Sequence, residues 1–133
     1  MNGRQMETKK IWANLTVKDL NRTTDFYTQI GFKPNGASEE LTSFKIGKDD
    51  FIIHFFLKPV LESNVKVKVA DPKQGKEVVF TLSASSREEV DEWEQEVRNA
   101  GGTIISPAEE FGEGYYGFVF ADPDGHTFNV FYM

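Results

Sequence analysis

The chain has 133 residues, 12 of them Phe, with no Cys and only two His. This length indicates one domain, because domains commonly run to roughly 100–200 residues. The lack of Cys excludes a disulfide framework, a Cys-ligated metal site and a thiol nucleophile. The 15 Lys and Arg against 21 Asp and Glu leave a net charge of −6. That charge argues against nucleic-acid binding, which is built largely from cationic side chains.

Residues 1–10 are mostly polar and predict an N-terminal extension without the apolar segment of a signal peptide. The longest nearly apolar run is Phe51 to Leu57, and His54 interrupts it. A membrane-spanning helix needs about 20 apolar residues, so we expect no membrane partner. Together with the lack of Cys, this favours a cytoplasmic protein.

The first predicted module covers residues 11–58. It begins with a strand at 11–17, where side chains alternate with the two-residue period of a strand. Asp19 or Asn21 can cap the helix that follows, because a short side-chain oxygen accepts from a free backbone N–H. Gly31 is a suitable end for that helix. Three shorter strands are predicted next, at 32–35, 41–46 and 51–57.

Residues 59–76 are predicted to form a linker between two modules. Asp71-Pro72 and Gln74-Gly75 favour turns and indicate a mobile segment. The alternation of Val and Lys at 65–69 favours a short exposed strand as the alternative.

The second module, residues 77–133, repeats the order of elements in the first. A strand is predicted at 78–84, and Ser86 to Glu89 has the pattern of a capping box that opens a helix. Gly101-Gly102 ends the helix. The last three strands are predicted at 103–105, 115–121 and 127–132. Each module therefore reads as β-α-β-β-β.

The segment Asp122-Pro123-Asp124-Gly125-His126 joins the last two strands. It holds two acids and an imidazole, but Asp, Pro and Gly in this order are what a tight turn requires. We therefore predict a structural turn rather than a catalytic site, with His126 at the rim of any cavity.

Five short motifs stand out in the two modules, namely NLTVKDL at 14–20, Asp25-Phe26-Tyr27, Gly31-Phe32, Ala100-Gly101-Gly102 and FADPDGH at 120–126. In these motifs the chain resembles the glyoxalase/bleomycin-resistance/extradiol-dioxygenase superfamily, also called vicinal oxygen chelate proteins. The resemblance covers about residues 10–133. It implies an α+β fold in which tandem βαβββ modules form curled mixed sheets around a cavity, in a single domain at 11–133. It also implies a homodimer, since members of this size usually form dimers.

In the metal-using members that the chain resembles, the ligands come from the first and last strands of each module. The corresponding positions here are Trp12, His54, Val79 and Asn129. Indole and isopropyl groups cannot ligate an ion, and Asn129 offers only a neutral carbonyl. Divalent metal sites normally need roughly three or four N, O or S donors. We therefore expect no metal and no other cofactor, with a divalent metal held through His54 as the alternative.

The two-residue period of the strands, combined with the family's arrangement, places an apolar and aromatic surface on the cavity side. Such a surface with a few neutral polar groups suits a small-molecule pocket, although the same residues can also simply fill a core. His54 either orients a ligand or is a packed residue with a protein partner. Gly112 and Gly114 indicate a loop within residues 109–117 that can close over the cavity and bring Tyr115 or Tyr116 to a ligand. The predicted ligand-binding residues are Trp12, Asn14, His54, Phe56, Thr81, Tyr116, Asn129 and Phe131.

These observations predict a glyoxalase/bleomycin-resistance-like protein that binds a small, partly hydrophobic molecule without metal. A metal-dependent lyase, isomerase or dioxygenase of the same superfamily is the alternative. A dimeric interaction module with a vestigial cavity is the third interpretation. The sequence leaves open whether any reaction is catalysed.

Overall fold

A computed structural model describes residue 3 and residues 5–133 of the chain; residues 1, 2 and 4 of the predicted extension lie outside the described residues. The described part forms eight strands and three helices. In chain order they are β1 (Trp12–Val17), α1 (Leu20–Gln29), β2 (Lys33–Ala37), β3 (Leu41–Ile46), β4 (Phe51–Leu57), α2 (Lys58–Val65), β5 (Val79–Ser83), α3 (Arg87–Asn99), β6 (Thr103–Phe111), β7 (Tyr115–Ala121) and β8 (Thr127–Tyr132).

The strands form two four-stranded mixed sheets, with the orders β1-β4-β3-β2 and β5-β8-β7-β6. β1 pairs parallel with β4, and β5 pairs parallel with β8, whereas the other neighbours are antiparallel. The predicted α+β fold of two βαβββ modules is therefore confirmed. The sheets are curled, and the described chain does not close them into a barrel.

The two long helices begin at side-chain caps. Asp19 caps α1 by accepting from the Arg22 N–H at 3.0 Å. Ser86 caps α3 by accepting from the Glu89 N–H at 3.0 Å. The Glu89 carboxylate accepts from the Ser85 N–H at 2.8 Å, so the reciprocal bond of the predicted capping box is made one residue earlier than expected.

Two segments differ from the sequence prediction, and each contains a Pro. The predicted linker begins with helix α2, where Pro59 lies in the first turn and needs no N–H, and where Leu61 is buried. The alternative strand at 65–69 does not form. Strand β6 continues past the predicted 103–105 to Phe111, because Pro107 lies where the pairing with β7 shifts register.

One hydrophobic core joins the two modules. Tyr27 of α1 is fully buried and stacks on Phe55 of β4, with ring centroids 4.6 Å apart. The same ring meets Phe128 of β8 edge-on at 6.0 Å. Phe120 and Phe128 stack at 5.1 Å, and Phe26 of α1 reaches Phe120 at 6.3 Å. Because these contacts cross from one module to the other, the two modules share a core.

The predicted turn at Asp122 is confirmed, and it also attaches the second module to the first. Asp122 Oδ2 accepts a hydrogen bond of 2.6 Å from the Tyr27 hydroxyl inside the core. Its other oxygen, Oδ1, accepts from the N–H groups of Asp124, Gly125 and His126, each at 2.9 Å. Burial raises the pKa of Tyr27 well above its usual value, and the neighbouring Asp122 carboxylate raises it further. Burial also raises the pKa of Asp122, against the opposing effect of His126 and the Tyr27 hydrogen bond.

The rest of this turn bonds to the junction of β1 and α1. Asp124 Oδ1 accepts from the Lys18 N–H at 2.9 Å and from the Arg22 guanidinium at 3.1 Å. His126 Nε2 donates to the Thr16 carbonyl at 2.6 Å. His126 is half-buried between the modules, and its hydrogen bond to Thr16 links them.

Candidate functional site

Each sheet has one face against its helix and a second face that we call the open face. Ile53 and Phe55 of β4 belong to the core, so the intervening residue His54 lies on the open face. The register then places Trp12, Asn14 and Phe56 beside it, since β1 and β4 pair residue by residue. Four predicted ligand-binding residues therefore share the open face of the first sheet.

His54 is held in one orientation by its neighbours on this face. Its Nδ1 lies 2.8 Å from Ser43 Oγ, and Ser43 Oγ accepts from the Asn35 amide at 3.0 Å. A hydroxyl that accepts from Asn35 can donate to Nδ1, and in that tautomer the imidazole carries its proton on Nε2. Burial lowers the pKa of His54, which also favours the neutral ring. Trp12 and Phe56 each meet the ring edge-on, with centroids 6.0 Å away.

With its proton on Nε2, His54 is a hydrogen-bond donor set between two aromatic side chains. It can bind a carbonyl or other acceptor on a flat ligand. Ser43 and Asn35 were not predicted from the sequence. Because side chains alternate along β3, Ser43 lies on the face of the strand opposite to that of the core residue Phe44. Only the register between β3 and β4 shows that Ser43 pairs with His54.

The donors on the open faces do not fit the metal site of the resembling family. In residue 3 and residues 5–133, no group of three or more His, Cys, Asp or Glu side chains could hold a metal ion. Of the four implied positions, Trp12 and Val79 carry no donor, and about half of each side chain is exposed (48% and 50%). His54 and Asn129 remain as two neutral donors, short of what a divalent ion requires.

The open face of the second sheet carries a cavity of about 470 Å³. Val79 and Phe111 contribute apolar surface there, whereas Asn129, Thr127 and Glu109 contribute polar groups. This volume lies within the range of about 300–1,000 Å³ that is typical of small-molecule pockets. Thus Asn129, a predicted site residue, lies in a cavity lined by residues of the second module.

Two further predicted residues lie on this open face beside the cavity. Thr81 pairs with Asn129 in the parallel register of β5 and β8. Phe131 lies 6.1 Å from the Tyr115 ring, and Tyr115 stacks on Phe111 at 5.6 Å. The aromatic side chains at the β6–β7 hairpin therefore extend this face beyond the cavity.

Tyr116 lies on the opposite face of β7 from the cavity. Its hydroxyl donates to Asp91 of α3 at 2.5 Å, and the Arg87 guanidinium lies 4.7 Å from the ring centre. The hydrogen bond to Asp91 raises the pKa of Tyr116. Of the two tyrosines predicted to reach a ligand, Tyr115 is therefore the one on the open face, because alternate residues of a strand point to opposite faces.

Comparison with known proteins agrees with this architecture. The family model described as the Glyoxalase/Bleomycin resistance protein/Dioxygenase superfamily matches residues 11–130. The chain belongs to this superfamily. No curated protein is a significant match in sequence.

Solved structures of the superfamily and its relatives share the fold. The hypothetical protein SA1046 from S. aureus is 28% identical, with 97% of each chain covered and a TM-score of 0.84. A glyoxalase-related enzyme from Fulvimarina pelagi is 22% identical, with 95% of this chain and 89% of that chain covered and a TM-score of 0.82. Lactoylglutathione lyase from Agrobacterium tumefaciens is 19% identical, with 96% of each chain covered and a TM-score of 0.67. The last two likenesses concern the fold alone.

The helices of this superfamily member are short. Among the residues that the structure describes, no helix has both the length and the apolar character needed to cross a membrane.

Proposed function

We propose that this protein binds a small, partly hydrophobic molecule on its open faces without a metal ion, as a glyoxalase/bleomycin-resistance-like binding protein. No bond-breaking step is part of the proposal. The observation that carries it is the cavity of about 470 Å³ on the second sheet, which combines apolar side chains with the Asn129 amide. A pocket of this kind supplies apolar area for burial and a few polar groups for orientation.

The polar groups support a neutral, flat ligand that carries hydrogen-bond acceptors. His54 presents Nε2–H between Trp12 and Phe56, and Asn129 offers both an amide donor and a carbonyl acceptor. Aromatic side chains bind planar apolar surface well. Asn14 and Thr81, next to these two residues in register, add further polar groups on the same faces.

A homodimer in the cytoplasm completes the proposal. The edge strands β1 and β5 begin at Trp12 and Val79, and these two residues and the preceding Ile11 and Val78 are exposed in the single chain. Contiguous exposed apolar residues on an edge strand favour association with a second chain. Light scattering should then give twice the chain mass of 15.1 kDa. Val79→Glu should shift the mass toward that of the monomer; a wild-type monomer at micromolar concentration would contradict the homodimer.

The binding proposal is tested by a thermal-shift screen against flat, partly apolar molecules. A ligand present at about 100 times its Kd adds about 2.7 kcal/mol, which for this size is a rise in Tm of roughly 8–13 °C. Asn129→Ala and His54→Ala should reduce this rise, whereas Asn64→Ala on the exposed side of α2 should leave it unchanged. A rise that survives both site variants would place the ligand elsewhere.

Metal content separates the proposal from its alternative, a metal-dependent lyase, isomerase or dioxygenase. Protein purified without chelator is examined by elemental analysis, alongside His54→Ala. We expect less than about one-tenth of an equivalent of any transition metal, because two neutral donors bind such ions weakly. One equivalent per chain that disappears in His54→Ala would refute the metal-free proposal.

A further inference from the structure

The two modules meet at two contact regions, which we call joints. The joints correspond to each other because the two modules repeat the same order of elements. The Asp122 N–H donates to the His126 carbonyl at 2.8 Å and closes the β7–β8 hairpin, whose end lies against β1. In the other module, Ile46 pairs with Phe51 and closes the β3–β4 hairpin. The end of that hairpin lies against β5, with the Phe51 ring 6.4 Å from the Phe80 ring. Each module therefore docks its last hairpin on the first strand of the other.

The chemistry of the two joints differs. At the first, the buried carboxylates of Asp122 and Asp124 bond to the other module. At the second, the apolar residues Ile46 and Phe51 flank the turn of the hairpin, and a cavity of about 540 Å³ lies between this hairpin, β5 and α3. The side chains lining this cavity include Phe32, Phe51, Phe80, Leu82, Trp93 and Phe128.

This cavity is an open cleft at the edge of the shared core, since Lys48, Thr81 and Ser83 in its lining are exposed. Pockets that hold small molecules have volumes of about 300–1,000 Å³, and they occur preferentially between structural units. The second joint therefore has the size and apolar lining of a ligand pocket. Its aromatic lining lies on the helix side of the sheets, and Thr81 and Ser83 of β5 line its edge.

The rim of this cavity is cationic, on a chain whose net charge is −6. Three lysines line it, namely Lys33, Lys45 and Lys48, together with the acids Asp49 and Asp50. Lys33 pairs with Asp50 at 3.7 Å, which leaves two lysines against one acid. A local excess of positive charge favours an anionic group at the mouth of the cavity.

We propose that the cavity at the second joint binds a small amphiphilic anion: a flat apolar body between the aromatic side chains, with one carboxylate or sulfonate at the lysine rim. This site shares Thr81 with the open face of the second sheet, but it shares no lining residue with the cavity of about 470 Å³. It stands on the Phe51–Phe80 joint, the aromatic lining and the rim charge, so each site can fail without the other.

Trp93 provides a direct signal for occupancy, because it lines the cavity and the chain has only two Trp residues. In the Trp12→Phe variant, Trp93 is the single indole. Titration with 8-anilinonaphthalene-1-sulfonate, a flat monoanion, should quench Trp93 by energy transfer and saturate at one probe per chain. The absence of Trp93 quenching would overturn the proposal.

Charge reversal at the rim tests the anion specifically. In the Trp12→Phe background, Lys48→Glu should raise the Kd of the sulfonate probe roughly five- to tenfold. Lys68→Glu makes the same change in net charge at an exposed residue outside the cavity lining, and it should change Kd less than twofold. A neutral probe of the same shape, N-phenyl-1-naphthylamine, should bind both variants equally. Equal weakening of the sulfonate by the two variants would show only a general charge effect and refute the site.

A third variant separates the two sites. Val79→Lys alters the open face of the second sheet, where Val79 lines the other cavity. The Trp93 signal should persist in this variant, with circular dichroism showing that all variants remain folded. Loss of the signal in folded Val79→Lys would assign the probe to the open face and overturn the second site while leaving the proposed function in place.

Discussion

Replacing Tyr27 with Phe removes one hydroxyl from the centre of the molecule and keeps the ring. The hydroxyl donates to Asp122 Oδ2 at 2.6 Å, and the Tyr27 side chain is fully buried. The stacking of the ring on Phe55 and Phe32, at 4.6 and 5.3 Å, should persist in the variant. The substitution therefore isolates one hydrogen bond between the modules.

The loss of stability follows from the buried Asp122 Oδ2, which the substitution leaves without its donor. A net hydrogen bond to a charged group contributes about 1.5–3 kcal/mol, and a buried acceptor without its donor bears the full desolvation penalty. Asp122 keeps three N–H donors on Oδ1 but loses its donor on Oδ2. We expect the free energy of unfolding to fall by about 2–3 kcal/mol, and Tm by roughly 6–15 °C.

Urea denaturation measures the change, with Tyr116→Phe as the matched control. Tyr116 also donates to a carboxylate, Asp91 at 2.5 Å, but this pair lies at the surface. Water can replace the lost partner there, so we expect a change within about 0.5 kcal/mol. Equal effects of the two substitutions, at unchanged m-value, would refute the assignment of a stabilising role to the buried bond.

The pH dependence gives an independent check on the same residue. The pKa of Tyr27 is raised in the folded chain, mainly by burial, so the unfolded chain loses this proton first, near pH 10. The stability of the wild type should therefore fall as the pH rises above about 10, with a slope of up to about 1.4 kcal/mol per pH unit. Tyr27→Phe lacks this proton, so the stability gap between wild type and variant should narrow there. A gap that stays constant up to pH 11 would contradict burial of an ionisable hydroxyl.

Three other changes have defined outcomes. Gly117→Ala would set a Cβ 2.3 Å from the Val130 carbonyl oxygen, and this backbone clash should destabilise the chain by about 3 kcal/mol in urea. Gly75→Ala is the control, because a Cβ there would meet no described heavy atom within 4 Å, and it should change the free energy of unfolding by less than about 0.5 kcal/mol. Equal effects of Gly117→Ala and Gly75→Ala would count against the close pairing of β7 with β8. Ser86→Ala removes the cap of α3 and should cost about 1 kcal/mol; no loss would show that the cap is dispensable. NMR titration of His54 should give a pKa below 6.5, because burial disfavours the charged ring. The free energy of unfolding should therefore fall as the pH drops below 6.5, and His54→Gln should remove that dependence. A pKa above 6.5 would contradict the burial of the ring.

The regular elements were predictable because their signals are local. The period of β1, the cap at Asp19 and the Gly101-Gly102 stop each depend on a few neighbouring residues. The same local signals missed helix α2 and predicted that β6 ends at residue 105, too early. Pro59 lies at the first turn of a helix and Pro107 at a register shift, and both settings tolerate a missing N–H.

The open faces were predictable only in part. The strand period placed Trp12, Asn14 and His54 on one face, as the register of β1 and β4 does. It could not reveal that Ser43 lies opposite His54, because pairing between strands depends on the turn between them. The predicted ligand-binding set included Tyr116 and not Tyr115, whereas the burial of Phe118 and Phe120 in the core puts Tyr115 on the open face.

The amino-acid sequence by itself determined that the chain has two βαβββ modules, no thiol, and only His54 and Asn129 as donors at the family's metal-ligand positions. The modules and the lack of a thiol follow from short-range periodicity and composition, whereas the metal-ligand positions follow from the resemblance to the superfamily. The tertiary structure decided how the modules join. Tyr27 and Asp122 are 95 residues apart in the chain, and they meet only because both modules pack into one core. In the same packing, buried carboxylates link the modules at the first joint, whereas an aromatic cavity lies at the second. No local pattern of residues predicts this difference.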